Sequence, residues 1–182
     1  MSWTQKGKYI LYDNSERFLK LSDNAYEWLN FEYGDEAAGA KIKKNLYKIF
    51  DEMESILESI DDRNFSGFFI SRAIDPTDVG SPHSEGRAID ISRVYLKNKD
   101  DDVYEEDCYH ALDVWRDFLQ LFEKKYPKPF NQIICPFGII DVRWNKEIVV
   151  NNFMNNKLLE DLEYVNGLVV EHQDHFHINL AK

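Results

Sequence analysis

Cysteine is nearly missing from this sequence: Cys108 and Cys135 are its two thiols, and they form no CxxC pair. That excludes a disulfide framework and a thiolate metal cluster. Both thiols are expected to be reduced and buried as small apolar groups. Long apolar runs are missing too. No stretch approaches the roughly 20 residues that a membrane helix needs, so membrane insertion is not expected. The opening Met1-Ser2-Trp3-Thr4-Gln5-Lys6 has no signal-peptide core behind it, which points to a protein that is cytoplasmic as synthesised. Positive charge is scarce, with 22 Lys and Arg against 33 Asp and Glu and a formal net charge of −11. Such a field repels phosphate backbones, so nucleic acid is not an expected partner. No internal repeat or low-complexity tract occurs.

What is present suits one core. Hydrophobic residues make up 43% of the 182 residues, and this length fits a single domain over 1–182, expected to be a monomer. Aromatics crowd the first 34 positions (Tyr9, Tyr12, Phe18, Tyr26, Trp28, Phe31, Tyr33) without clear periodicity. Residues 1–35 therefore read as an irregular extension, or short helices, packed on the body. Ile42, Leu46, Ile49, Phe50, Met53, Ile56, Leu57 and Ile60 form a helical stripe that predicts a helix over about 36–60, with Asp35 as its cap. Strands are expected at 67–71 and 87–94, separated by a loop over 73–86. The acidic run Asp100-Asp101-Asp102 reads as the start of a second amphipathic helix, 103–126, ended by Pro127 and Pro129. Further strands are expected at 133–135, 137–142, 168–170 and 175–180, the last two around a Gln173-Asp174 turn, with a third helix at 151–164. Helices and strands do not alternate strictly. The expected fold class is α+β, with a central antiparallel sheet flanked by helices.

Two segments concentrate the chemistry: Ser81-Pro82-His83-Ser84-Glu85-Gly86-Arg87-Ala88-Ile89-Asp90 and Glu171-His172-Gln173-Asp174-His175-Phe176-His177. In a strand, residues two apart share a face, so His175 and His177 would project together while Phe176 turns to the core. Alone, such a pair is as well explained by a solvated sheet surface. Asp90 sharpens the reading, because a carboxylate flanked by Ile89 and Ile91 is hard to explain by solvation. Gly86 permits a tight turn that folds His83 back toward Asp90. Two histidines and one aspartate suffice to hold a catalytic zinc ion with one position open. His172 and His110 read as turn and helix residues, and Arg143 and Trp144 as packing.

The pattern Ser-x-His-x-x-Gly-x-Ala-x-Asp, met at Ser81, His83, Gly86, Ala88 and Asp90 and followed far downstream by His-x-His, resembles the zinc D-Ala-D-Ala carboxypeptidases. It is equally similar to the VanX- and VanY-type dipeptidases and the phage L-alanyl-D-glutamate endopeptidases, whose zinc core the hedgehog domain shares. The resemblance covers roughly residues 66–94 and 165–180. It implies that His83, Asp90 and His177 bind Zn2+ and that His175 assists the transition state. It also implies a carboxylate base three residues before the last ligand, here Asp174. Glu171 competes for that role with a hedgehog-like spacing. Arg72 matches a substrate-holding arginine, although the usual Gly-Tyr-Arg context reads Ile70-Ser71-Arg72 here. Ser81 is expected to hydrogen-bond a ligand side chain. The implied activity is hydrolysis of peptide bonds in bacterial peptidoglycan, by an enzyme that reaches the wall on release, as in phage lysis. The competing reading is a non-catalytic zinc module for binding or virion structure.

Overall fold

The N-terminal aromatics build strands, not an irregular extension. Trp3–Lys6 (β1), Tyr9–Tyr12 (β2) and Phe18–Leu21 (β3) pair antiparallel in that order. Gly7, at φ +58°, supplies the left-handed residue that the tight turn between β1 and β2 needs. Ile10 and Tyr12 point inward, as do Leu19 and Leu21. Each strand is four residues long, so it shows only two in–out periods and leaves little pattern among so many aromatics. A short helix, Asp23–Leu29 (α1), follows. Ser22 caps it by accepting from the Ala25 N–H at 3.1 Å, and ties it down by donating to the Ser71 carbonyl at 2.7 Å. The computed structural model of the chain describes residues 3–12, 16–58, 65–107, 130–135, 138–141, 171–172 and 174–181.

The long helix Glu36–Glu58 (α2) lies where the apolar stripe placed it. The Asp35 carboxylate accepts from the Ala37 and Ala38 N–H groups at 3.0 and 3.1 Å, satisfying two donors that the first turn leaves open. Leu46, Ile49, Phe50 and Met53 are fully buried. Each such side chain stabilises the fold by about 1.5–3 kcal/mol relative to exposure.

The remaining described strands are Phe65–Arg72 (β4), Ala88–Lys97 (β5), Val103–Asp107 (β6), Phe130–Cys135 (β7), Gly138–Asp141 (β8) and Phe176–Leu180 (β9). They join β1–β3 in one sheet of order β1-β2-β3-β4-β5-β9-β7-β8, with β6 beside β5. One edge of β5 holds two partners: Ala88 to Ile91 pair with β9, and Arg93 to Lys97 pair with β6. The protein is thus mixed α+β, with two described helices and a large sheet. The sheet is not wholly antiparallel, because β3 and β4 run parallel. A parallel pair needs a crossover, and the chain through α1 and α2 supplies it.

The acidic run does not start a helix. Asn98 Oδ1 accepts from the Asp100 and Asp102 N–H groups at 2.8 and 2.9 Å, and Asp101 takes φ +62°. This side-chain-stabilised turn folds 103–107 back as β6. The rest of the expected second helix, its proline stop, the third helix at 151–164 and the strand at 168–170 lie outside the described residues. So do Cys108, His110, Arg143 and Trp144. Among the described residues, no helix is long and apolar enough to cross a membrane.

Candidate metal centre

Asp90 sits in β5 between Ile89 and Ile91, both fully buried in the apolar core. The period-2 alternation therefore sends its carboxylate to the opposite face of the sheet. Register aligns it with Arg72 on β4 and His177 on β9, and His177 with Ile134 on β7. Arg72, Asp90, His177 and Ile134 thus form one row across four strands, and all four line a cleft of about 590 Å³.

His83 reaches this row from a 3₁₀ turn, His83–Glu85. Gly86 ends the turn at φ +65°, and Asn45 of α2 holds it by donating to the Glu85 carbonyl at 2.9 Å. A Cβ on Gly86 would meet the Ile42 carbonyl oxygen at 2.3 Å. Two independent constraints therefore demand glycine. Gly86→Ala is expected to destabilise the fold by more than the about 1–2 kcal/mol that a left-handed residue alone costs. Denaturant melts would check this, and a variant as stable as the parent would contradict it.

The three donors converge. The His83 Nδ1–H donates to the Ala73 carbonyl at 2.8 Å, which leaves Nε2 as the lone-pair nitrogen. That Nε2 lies 3.2 Å from His177 Nδ1 and 3.3 Å from Asp90 Oδ1, and His177 Nδ1 lies 2.8 Å from Asp90 Oδ1. Around a small cation bound tetrahedrally at about 2.0–2.2 Å, neighbouring donors stand about 3.3–3.6 Å apart. Two of the three separations fall at or just below that spacing, and the third needs to open by roughly half an ångström. All three residues are buried, at 3%, 5% and 7% exposure for His83, Asp90 and His177. This cluster can hold a metal ion.

Electrostatics agree. Burial pushes the Asp90 carboxyl upward, but the hydrogen bond from His177 and the closeness of both imidazoles outweigh it and hold it well below the usual range. Burial is also the largest influence on His177 and keeps it below its ordinary 6.5, against the opposing pull of Asp90. Both depressed values act in one direction. Below pH 6.5 the unfolded chain takes up a proton that folded His177 resists, and below 3.8 it takes up one that folded Asp90 resists. Stability from these groups is therefore present at neutral pH and lost on acidification. Melts in excess chelator are expected to fall steadily from about pH 7 to about pH 4. A flat profile through that window would contradict the assignment.

The other expected residues divide. Glu171, His172 and His175 line the same cleft as the three donors. The His175 Nδ1–H donates to Asp174 Oδ1 at 2.7 Å, and its Nε2 lies 3.9 Å from Asp90 Oδ1. Asp174 itself is 85% exposed and, among the described residues, is not part of the cleft wall. Ser81 lines the cleft, and its hydroxyl accepts from the Ser84 N–H at 3.4 Å, within the 3₁₀ turn that carries His83. Arg72 donates to Asp75 and Asp78, each at 2.7 Å, so its charge is already matched. Two residues beside the donors escaped the sequence reading. Asn179 follows His177 by two and shares its face, a placement the strand period already contains; Gln132 carries no such signal.

No protein-family model matches the chain, and no curated protein or solved structure does either.

Proposed function

We propose that the protein is a zinc-dependent peptidase of the D-Ala-D-Ala carboxypeptidase and phage endopeptidase type, acting on the peptides of bacterial peptidoglycan. The observation that carries the reading is the meeting of His83 Nε2, Asp90 Oδ1 and His177 Nδ1 at near-tetrahedral spacing beneath an open cleft. Two imidazoles and one carboxylate suit zinc, and a donor set of three, as found among the described residues, is characteristic of catalytic rather than structural sites. The Ser81-to-Asp90 motif directs the choice of peptidoglycan peptide as substrate.

When bound, zinc supplies Lewis acidity toward a carbonyl and lowers the pKa of water toward about 7. The chain supplies the proton handling. Glu171, on the cleft wall, takes the proton of the attacking water and returns it to the leaving amine. His175 presents Nε2 toward the row of donors while Asp174 fixes its ring through Nδ1. In its charged form this ring donates to the oxygen that becomes negative as the carbonyl is attacked. Asp174 is accordingly assigned to positioning His175, and the base role passes to Glu171. Arg72, on the cleft wall, is held by Asp75 and Asp78 through one guanidinium nitrogen, which orients it at the cleft mouth.

The test is digestion of purified peptidoglycans of differing cross-link chemistry by the zinc-loaded protein, with mass spectrometry of released fragments. New peptide termini are expected, and they vanish with chelator. Stoichiometric zinc binding without cleavage of any wall type would favour a binding module instead.

A further inference from the structure

The sheet has two faces, and α2 packs on one. Ile10, Leu19, Phe68 and Val94 join Phe50 of α2 in the core. The residues that alternate with them turn to the other face, the one that carries the cleft. Register lines up five of these across β1 to β5: Lys6 beside Tyr9, Tyr9 beside Lys20, Lys20 beside Phe69, and Phe69 beside Arg93. Cation and ring alternate along this row. Arg93 lies three residues from Asp90 on β5, about 10 Å at the rise of a strand. The row therefore runs beside the cleft, along its line of donors.

Its charges are not matched alike. Arg93 pairs with Glu105 at 3.1 Å, and its Cζ lies 5.0 Å from the Phe69 ring centre. Lys20 is different. Its ammonium lies 5.9 Å from the Tyr9 ring centre and 5.8 Å from that of Tyr95, and it meets no carboxylate among the described residues. Lys6, exposed on the outer strand β1, meets none among them either. Ring faces attract a cation and fix its place, but they leave its charge unneutralised. Two such cations stand out on a chain of net charge −11. Strand spacing of about 4.8 Å puts Lys6 and Lys20, two strands apart, roughly 10 Å from each other. Tyr9, 41% exposed, offers an apolar floor between them.

An acidic peptide fits this spacing. In the polyproline II form a peptide repeats every three residues with a rise of about 3.1 Å each, so carboxylates three positions apart share one side about 9 Å apart. A polyphosphate or nucleic acid carries charge far more densely, and the field of the chain repels it. We propose that Lys6, Tyr9 and Lys20 form an anchoring site for the acidic arm of a peptide substrate whose scissile bond lies in the neighbouring cleft. The choice of a substrate arm as occupant rests on the peptidase reading above; binding at the anchor itself requires no zinc.

The test is fluorescence anisotropy of a labelled hexapeptide with two glutamates three positions apart, against the same peptide with glutamines, on the full chain in chelator at low salt. The parent is expected to bind the acidic peptide about fivefold more tightly, as one well-placed surface ion pair allows. The preference is expected to vanish near 1 M salt, where the screening length is about 3 Å. Lys20→Gln is expected to lose it. Lys44→Gln removes the same charge from the exposed side of α2, across the sheet from the row, and is expected to keep it. Cooperative melting of each variant separates loss of binding from loss of fold. Equal binding of the two peptides by the parent overturns the proposal. So does an equal loss in Lys20→Gln and Lys44→Gln, which marks a diffuse field rather than a site. Tighter binding of an acidic polysaccharide than of the peptide overturns it as well. If Lys20→Gln does not fold, Lys6→Gln decides by the same comparison with Lys44→Gln. The wall digestion fails separately: acidic peptide bound while no wall is cut removes the peptidase and leaves the peptide site, and wall cut without any preference for the glutamates removes the anchor and leaves the peptidase.

Discussion

Asp90→Ala is expected to take zinc content from one ion per chain to none and peptidase activity with it. The expectation follows from where the carboxylate sits. Asp90 contacts both histidine donors, at 2.8 and 3.3 Å, and supplies the single negative charge of the buried trio. Removing it leaves two neutral imidazoles, which can still donate to a divalent cation but cannot neutralise its charge. The loss should exceed the about 10- to 100-fold typical of residues one layer further out. His83→Ala and His177→Ala should behave alike, because each donor stands alone on its element. Asp90→Asn is the sharper variant: it keeps the volume and one acceptor oxygen, so the fold survives while the charge is lost. Metal analysis after dialysis checks the result. Zinc retained by Asp90→Asn at parental affinity would remove the carboxylate from the donor set.

The second large effect separates two carboxylates. Glu171→Gln is expected to keep zinc and lower kcat by about 100- to 10,000-fold, the range supplied by a positioned general base. Asp174→Asn is expected to cost less, because its carboxylate holds the His175 ring at 2.7 Å rather than facing the cleft. Its effect should resemble that of replacing His175, and the double variant His175→Ala/Asp174→Asn should be little worse than His175→Ala alone, since both act through one ring. Full activity in Glu171→Gln together with a dead Asp174→Asn would return the base role to Asp174.

The difference between these two carboxylates shows where sequence reasoning stopped. His83, Asp90 and His177 were legible because each rests on a strong local rule. A glycine at positive φ folds the turn, and isoleucines on either side of Asp90 dictate the face. A two-residue period then aligns His175 with His177. The segment from Glu171 to Asp174 obeys no period, so which carboxylate faces the cleft depends on how the turn packs. The same limit applies elsewhere. The α2 stripe runs over many turns and was plain, whereas β1, β2 and β3 are four residues each. Asp100-Asp101-Asp102 suits a helix start by charge, but Asn98 offers the backbone a turn first. Parallel pairing of β3 with β4 is a property of the crossover, which no local pattern records.

One feature of the sheet reaches into assembly. Among the described strands β9 comes latest in chain order, yet it lies between β5 and β7 and bonds to both. Without it, β1 to β6 and the β7–β8 hairpin have no described ladder between them. Closing a sheet with its last-made central strand means contacts of large sequence separation, which slow folding. It also orders events in time: a nascent chain can present His83 and Asp90, but the trio is incomplete until residue 177 has threaded between its neighbours. Any ion the trio holds would thereby be captured late, and a chain halted before that step presents two of the three donors.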